Sequence, residues 1–239
     1  MPRKNRKLFA DAIYHVYSRG NCKKEIFKSD KDNKIFLKIC QVAAKKFNFA
    51  IFSYALMKNH YHLLIQTPDA NLPEIMCFIN RTYANYFNKE YQQVGYVFQG
   101  RYNAKLVDDN EYLRTLIAYI NLNPYAANIV TEPSTYKWSS CKELLMQKDF
   151  NGFLHINYVL KLTGDFASFL EAHIYDKNLK MDSEIFYLTS KLKSLLNSDA
   201  FEKLNSKSQV RKLKEEYKLT AKEISSVINL SRSSVYRLI

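Results

Sequence analysis

The sequence predicts an α+β fold, in which a largely antiparallel sheet packs against helices and a separate all-helical region follows. Two observations support this prediction. In the first 145 residues, strand and helix patterns occur in the order strand, helix, strand, strand, helix, strand, helix. From about residue 145 onward, the chain is rich in lysine and in helix-forming residues and is almost free of strand patterns. We therefore predict two domains, residues 1–145 and residues 146–239.

The first four elements follow from alternation and from helical spacing. Residues 12–18 are β-rich and alternate, and the turn signal Arg19-Gly20-Asn21 follows them, which predicts a strand. Apolar residues then recur at helical spacing from Ser29-Asp30 to Phe47, with lysines on the other face, which predicts the first helix. Residues 49–55 and 58–66 predict the second and third strands.

The remaining elements of the first domain are two helices and one strand. Asn71-Leu72-Pro73 predicts the start of a helix that ends near residue 88, because proline is favoured at the first helical position. Residues 92–100 are expected to form a loop, and residues 101–107 the fourth strand. Asp108, with Glu111 three residues later, matches a capping box and starts the third helix. We expect that helix to end at Asn123-Pro124, because proline disfavours a helical conformation in the residue before it.

The charge of the chain points to a polyanionic partner. Its 36 Lys and Arg residues against 23 Asp and Glu give a net charge of +13, which favours nucleic acid. A membrane surface is disfavoured because no basic amphipathic helix or lipidation signal is present. A merely basic protein without such a partner is the alternative.

Neither a membrane span nor a secretory signal is found in the sequence, so we expect a cytoplasmic protein. The spacing of Cys22, Cys40, Cys77 and Cys141 matches neither a zinc site nor a disulfide framework. We therefore expect all four to be reduced core residues.

Two of the five histidines, His60 and His62, lie two positions apart in the third predicted strand. Side chains alternate along a strand, so this pair shares one face while Tyr61 points to the other. At about 6.5 to 7 Å between Cα atoms, both imidazoles can reach one metal ion. Ordinary hydrogen-bonded histidines without a metal are the alternative.

A second group of polar side chains lies on the third predicted helix, where Tyr119 and Asn123 are one turn apart on a face beside the apolar stripe. A phenol and an amide carbonyl in this arrangement can present a nucleophile and a hard oxygen ligand to one metal ion. The alternative is that Tyr119, one of 18 tyrosines, is half-buried for packing.

The chain resembles the HUH single-tyrosine transposases, in particular the branch of REP-associated tyrosine transposases. Three motifs over about residues 8–140 carry the resemblance: Tyr14-His15-Val16 followed by Arg19-Gly20-Asn21, Asn59-His60-Tyr61-His62 preceded by Met57, and Tyr119-Ile120-x-Leu122-Asn123-Pro124. The family allows any hydrophobic residue between the histidines, and Tyr61 meets that requirement. Many relatives carry a basic residue before the tyrosine and an arginine after the Asn-Pro pair. This chain has Ala118 and Tyr125-Ala126-Ala127 there, which concerns DNA specificity more than chemistry.

The resemblance implies a ferredoxin-like catalytic domain in which His60 and His62 bind Mg²⁺ or Mn²⁺ and Asn123 completes the metal site. It also implies that Tyr119 attacks a phosphodiester of single-stranded DNA and leaves a 5′-phosphotyrosine and a free 3′-hydroxyl. The expected protein is therefore a metal-dependent transposase, an endonuclease and strand transferase. A catalytically inactive DNA-binding regulator, and an HUH nuclease of the replication-initiator or relaxase type, are the alternatives.

Aromatic and basic residues between positions 81 and 102 predict a groove in which bases of single-stranded or hairpin DNA stack on rings. The rings are Tyr83, Tyr86, Tyr91, Tyr96, Phe98 and Tyr102. The expected phosphate contacts are Arg19, Arg81 and Arg101. A core role for half or more of these rings is the alternative.

Residues 217–239 match a helix-turn-helix, which would add duplex binding. Thr220 and Glu223 form a capping box, and Asn229-Leu230-Ser231 supplies the turn. The second helix is expected to direct Arg232, Tyr236 and Arg237 toward base edges and phosphates. A plain helical hairpin used for dimerisation is the alternative. The sequence does not distinguish a monomer from a homodimer.

Overall fold

Four strands form one antiparallel sheet in the computed structural model, which describes residues 7–174, 192–217 and 219–238. The strands are β1 (Ala12–Arg19), β2 (Ala50–Met57), β3 (His60–Thr67) and β4 (Asn103–Val107), in the spatial order β2-β3-β1-β4. All four predicted strands are confirmed, with ends that differ by one or two residues. The predicted α+β class is confirmed as well.

Helices cover both faces of this sheet. They are α1 (Asp30–Phe47) and α2 (Leu72–Glu90) on one face and α3 (Asn110–Ala126) on the other. Neighbouring residues of β3 define the two faces. The Tyr61 ring packs on Phe36 of α1 and its hydroxyl donates to Asn80 Oδ1 of α2 at 2.6 Å. The next side chain, His62, packs on Tyr119 of α3.

The two ends of α3 differ from the prediction. Asp109, not Asp108, caps the helix, because its carboxylate accepts from the backbone N–H of Tyr112 at 2.6 Å. The expected end at Asn123-Pro124 is wrong, since the helix continues through Pro124 to Ala126. Proline in the last turn costs one backbone hydrogen bond and has a φ that fits a helix, so it is tolerated there. Asn123 and Tyr119 consequently share one unbroken helix.

The first compact unit spans Met1–Tyr175. It continues beyond residue 145, where the sequence places the end of the first domain, because the following segment covers the edge of β2. Backbone bonds join Leu56 to Trp138 and Ile51 to His155. The helices of this segment are α4 (Cys141–Leu145), α5 (Ile156–Thr163) and α6 (Phe166–His173), and Tyr158 of α5 stacks on Phe52 of β2. An exposed sheet edge invites pairing with other chains, and this segment prevents it at β2.

The second compact unit spans Asp176–Ile239 and is helical in its described part. Its helices are α7 (Lys193–Leu196), α8 (Asp199–Glu202), α9 (Ser206–Glu215), α10 (Ala221–Val227) and α11 (Arg232–Leu238). Ile224 and Val235 are fully buried in a cluster with residues of α8 and α9. The predicted capping box of Thr220 and Glu223 is present. Asn229, in the left-handed conformation at φ 53°, turns the chain between α10 and α11.

Among the described residues, no helix is both long and apolar enough to cross a membrane. All four cysteines are free thiols. Cys40 and Cys141 are buried, whereas Cys22 and Cys77 are exposed, so the expectation of four core cysteines is wrong for the latter two. Cys22 lies in a short turn after β1, and Cys77 lies on the outer face of α2.

Candidate active site

The sheet face beneath α3 carries the histidine pair. His60 and His62 of β3 point to this face, and their partners across the sheet, Arg19 and Tyr17 of β1, point the same way. The centroids of the His60 and His62 rings lie 5.0 Å apart, with the rings nearly perpendicular. The spacing of two residues in β3 therefore places both imidazoles side by side.

A third histidine, His15 of β1, contacts this pair from the interior of the sheet. His15 Nε2 lies 3.0 Å from His62 Nδ1. The two side chains are 0% and 2% exposed. Burial lowers the pKa of His15 to about 3, helped by the positive charge of Lys105. Burial likewise lowers the pKa of His62 well below 6.5, helped by the two neighbouring histidines. Both rings are neutral at pH 7, so the contact is a hydrogen bond between neutral imidazoles.

His60 lies at the partly exposed end of β3 and is oriented by the residue before it. Its Nδ1 lies 2.7 Å from Asn59 Oδ1, while Asn59 Nδ2 donates to the carbonyl of Lys23 at 3.3 Å. That second bond fixes which end of the Asn59 amide faces the ring. Because an amide oxygen only accepts, His60 Nδ1 carries the proton in this contact, and the ring lone pair is on Nε2.

Tyr119 of α3 lies directly over the histidines. Its ring centroid is 5.7 Å from that of His62 and 6.1 Å from that of His15, with interplanar angles of 88° and 75°. The residue is only 2% exposed. The structure thus brings together a phenol and imidazoles that are more than 50 positions apart in the sequence.

A buried polar cluster fixes the rotation of α3 on the sheet. Asn121 donates to Ser53 Oγ of β2 at 2.9 Å and accepts from Ser140 Oγ at 2.8 Å. The same amide donates to the carbonyl of Ile117 in its own helix. Because Asn121 follows Tyr119 by two residues, this cluster determines which way the phenol points.

Asn123 lies one turn after Tyr119 on the same helix and is partly exposed. Its side chain is therefore accessible to a ligand on the face that the tyrosine occupies. The geometry brings the predicted nucleophile, His60, His62 and this amide to one side of the sheet.

The donor set is compatible with a hard divalent cation. His62 Nε2 is buried and has no hydrogen-bond partner among the described residues, which a bound ligand would supply. In residues 7–174, 192–217 and 219–238, no group of three or more His, Cys, Asp or Glu side chains is placed to hold a metal. A metal site here would consequently combine the imidazoles of His60 and His62 with the amide oxygen of Asn123, as the sequence led us to expect.

Positive charge borders this face. The exposed guanidinium of Arg19 donates to Gln99 Oε1 at 3.2 and 3.3 Å, which holds it near His60. Lys105 of β4 lies opposite His15 in the sheet. Exposed Arg101 precedes β4 at the end of the sheet where His60 lies. These groups can contact the phosphates of a strand that reaches Tyr119.

Arg81 does not belong to this surface. It lies on the outer face of α2, beside Cys77 and Phe78, across the sheet from the histidines. The predicted aromatic groove is also largely absent. Tyr83, Phe98 and Tyr102 are buried, and the hydroxyls of Tyr86 and Tyr91 donate to Asp32 at 2.8 and 2.7 Å. Only Tyr96 of the six rings is fully displayed, at 89% exposure.

In the second unit, the three predicted DNA-contacting residues point away from the core. Arg232 and Arg237 are exposed, Tyr236 is 70% exposed, and Val235 between them is fully buried. This amphipathic arrangement is what a recognition helix requires, and a helical hairpin has it as well.

Three residues of the site region were not predicted from the sequence: His15, Asn59 and Asn121. Asn59 directly precedes His60, so its position in the motif was the available signal. His15 and Asn121 depend on pairing between β1 and β3 and on packing of α3 against β2. His15 also lies in the motif Tyr14-His15-Val16, but no local pattern of the sequence reports either contact.

Comparison with known proteins gives a family match and a shared fold. Residues 9–123 match a family model described as transposase, IS200-like. Among solved structures, the chain is similar to a REP-associated tyrosine transposase bound to a REP hairpin. The TM-score is 0.53 and the identity 14%, over 65% of this chain and 90% of that one. This similarity shows a shared fold.

Two further structures match less well. A candidate transposase from Deinococcus radiodurans R1 has a TM-score of 0.37 and 16% identity, over 48% of this chain and 93% of that one. The tRNA(His) guanylyltransferase of Saccharomyces cerevisiae has a TM-score of 0.38 and 10% identity, over 76% and 83%. No curated protein matches the chain.

Proposed function

Residues 9–123 match the model of the IS200-like transposase family, and from this premise we propose that the protein is a metal-dependent DNA endonuclease and strand transferase. The observation that carries the proposal is the meeting of two distant elements. The strand β3 supplies His60 and His62, and the helix α3 supplies Tyr119, whose ring lies 5.7 Å from that of His62. A catalytically inactive regulator would have no need to keep this combination.

We assign Tyr119 as the nucleophile toward single-stranded DNA. Its hydroxyl oxygen bonds to the phosphorus of one phosphodiester while the bond between that phosphorus and the 3′ oxygen breaks. The phenol gives up its proton and the departing 3′ oxygen gains one, so the products are a 5′-phosphotyrosine and a free 3′-hydroxyl. Because the phosphotyrosine ester conserves the energy of the cleaved phosphodiester bond, a later attack by a 3′-hydroxyl can rejoin strands without a nucleotide cofactor.

His60, His62 and Asn123 would hold the divalent ion, Mg²⁺ or Mn²⁺. The buried Nε2 of His62, which has no hydrogen-bond partner among the described residues, and the oriented ring of His60 support this assignment. When bound, such an ion polarises the phosphoryl oxygens and stabilises the charge that develops on them. The chain itself orients the imidazoles, places Tyr119 against His62 and keeps the phenol buried.

The DNA is proposed to be single-stranded, with a hairpin beside the cleaved site. The similar structure was solved with a REP hairpin bound, and Arg19, Arg101 and Lys105 provide positive charge around the site. In the second unit, Arg232, Tyr236 and Arg237 are proposed to bind duplex DNA as a helix-turn-helix. A protein that acts on chromosomal DNA in this way would work in the cytoplasm.

A labelled-oligonucleotide assay tests the nucleophile and its polarity together. The protein is incubated with Mn²⁺ and a library of single-stranded hairpin oligonucleotides that carry a fluorophore at the 3′ or the 5′ end. We expect a covalent adduct that resists SDS and carries only the 3′ label, because the 5′-phosphate side of the cleaved strand stays on the enzyme. The 5′-labelled piece should be a shorter strand with an extendable 3′-hydroxyl.

Tyr119→Phe should form no adduct, whereas Tyr125→Phe, on the same helix, should react like the unchanged protein. Equal adduct from Tyr119→Phe would show that the nucleophile is wrong. An adduct that carries the 5′ label would contradict the proposed polarity. If no oligonucleotide yields an adduct while DNA still binds, the inactive regulator replaces this proposal.

A further inference from the structure

We propose that His15 is a positioning residue, which accepts the Nδ1 proton of His62 and thereby keeps the lone pair of His62 on Nε2, facing the cation site. This inference rests on the proposed function, because it concerns the same site. It assigns a role to a histidine that lies outside the proposed ligand set.

The hydrogen bond between the two rings has only two arrangements. Two neutral imidazoles at 3.0 Å need one N–H between His15 Nε2 and His62 Nδ1. If His15 supplies the proton, the single proton of His62 remains on Nε2 and the ring cannot bind a cation there. If His62 supplies it, the lone pair of His62 is on Nε2, and the single proton of His15 is on its Nδ1, which is buried without a hydrogen-bond partner among the described residues. A ligated His62 therefore requires His15 as the acceptor, which matches the usual support of metal-binding histidines by a second hydrogen bond.

The register of the sheet separates His15 from the cation site. His15 lies opposite Leu64 and His60 lies opposite Arg19, so His62 is between the two other histidines along the face. The His62 ring is 5.0 Å from His60 on one side and 5.2 Å from His15 on the other. An ion held by His60 and His62 would lie toward the partly exposed end of β3, where a phosphate could reach it. His15 supports the opposite, buried side of the His62 ring.

Burial explains why this support is effective. No water reaches His15, which is fully buried, so none can replace the hydrogen bond if His15 is lost. Without an acceptor, the Nδ1 proton of His62 would be buried and unpaired, and the ring would favour the other tautomer or rotate. Loss of such a supporting residue typically lowers metal affinity by about 10- to 100-fold.

Mn²⁺ binding to the full-length, DNA-free protein tests the role directly, followed by the EPR signal of free Mn²⁺. His15→Leu removes the acceptor, and we expect about 10- to 100-fold weaker binding. His15→Gln offers a carbonyl oxygen near the position of Nε2, and binding should return to within a few-fold of the unchanged protein. Tyr14→Phe is the control, because it removes a hydrogen bond from a buried β1 residue on the other face of the sheet.

Two spectroscopic measurements separate this role from a structural one. Electron spin echo modulation of bound Mn²⁺ should detect the same number of imidazole nitrogens in the unchanged protein and in His15→Gln. One nitrogen fewer in His15→Gln would make His15 a ligand and overturn the inference. Long-range ¹H–¹⁵N NMR of the unchanged protein with Mg²⁺ should find His62 protonated at Nδ1, and this measurement needs no variant to fold.

Protonation of His62 at Nε2 in the presence of Mg²⁺, or Mn²⁺ binding by His15→Leu equal to that of the unchanged protein, would also refute the role of His15. These failures can be distinguished from failure of the proposed function. If the unchanged protein forms the phosphotyrosine adduct while His15 has no effect, only the inference about His15 is lost. If the unchanged protein neither binds Mn²⁺ nor forms the adduct, both are lost.

Discussion

The rings of Tyr119 and His62 lie nearly perpendicular, with 5.7 Å between their centroids and 88° between their planes. One residue comes from a helix and the other from the sheet, so their contact depends on how α3 packs. The cluster of Asn121, Ser53 and Ser140 fixes that packing. Activity and stability should therefore respond differently to changes in the two kinds of residue.

The buried histidines should make the metal-free protein less stable in mild acid. The pKa of His15 falls from 6.5 to about 3 on folding, so below pH 6.5 the unfolded chain binds a proton that the folded chain does not. The contribution of neutral His15 to the free energy of unfolding is fully present above about pH 6.5 and is lost as the pH falls toward 3. The loss is up to about 1.4 kcal/mol per pH unit, and His62 adds a contribution of the same sign.

Urea unfolding in EDTA at pH 7.5 and 5.5, followed by the fluorescence of the single tryptophan, Trp138, measures this effect. Between the two pH values, the free energy of unfolding should fall less in His15→Leu than in the unchanged protein. The difference corresponds to one proton fewer taken up on unfolding, about 1.4 kcal/mol per pH unit. An identical loss in both proteins would mean that His15 is not kept neutral by burial.

Asn121 and Asn123 provide a matched pair of amides on α3. Asn121→Ala removes a fully buried amide and the hydrogen bonds that it makes to the Ser53 and Ser140 hydroxyls. The free energy of unfolding should therefore fall by about 1–3 kcal/mol. Asn123→Ala changes a partly exposed position and should alter stability by less than about 0.5 kcal/mol, while it weakens Mn²⁺ binding. Urea unfolding and Mn²⁺ titration of both variants check the contrast. Equal destabilisation by the two would contradict it.

Variants of Arg19 and Arg81 test which face of the sheet binds DNA. Arg19→Ala should weaken binding to single-stranded DNA and reduce the dependence of log K on log salt by about 0.7, the value for one lost phosphate contact. Arg81→Ala, across the sheet, should leave both quantities unchanged. Fluorescence anisotropy over a range of salt concentrations measures them. A larger effect of Arg81→Ala than of Arg19→Ala would place the DNA on the face of the sheet that α1 and α2 cover.

The helix-turn-helix is best tested by point variants. Deletion of residues 217–239 would remove Ile224 and Val235 from the core of the second unit, so lost binding would have two explanations. Arg232→Ala with Arg237→Ala changes only exposed side chains and should lower the salt slope for duplex DNA by about 0.9 per lost phosphate contact. Arg211→Ala on α9 is the control. Unchanged duplex binding in the double variant would favour the hairpin interpretation.

The sequence by itself determined most elements of the fold and which side chains of the candidate site share a face. Strand alternation put His60 and His62 on one face, and helical spacing put Tyr119 and Asn123 one turn apart. Both are local properties, set by bond geometry over a few residues. The error at Pro124 arose because a residue preference is weaker than the packing of the whole helix.

Tertiary structure alone decided which distant residues meet. It paired β1 with β3 and so placed His15 against His62, and it rotated α3 so that Tyr119 covers the histidines. It also assigned Arg81 and most of the tyrosines to other places, since burial and hydroxyl contacts depend on every neighbouring element. Contacts between strands and helices far apart in the chain come from the packing of the whole domain, and no short stretch of sequence contains that information.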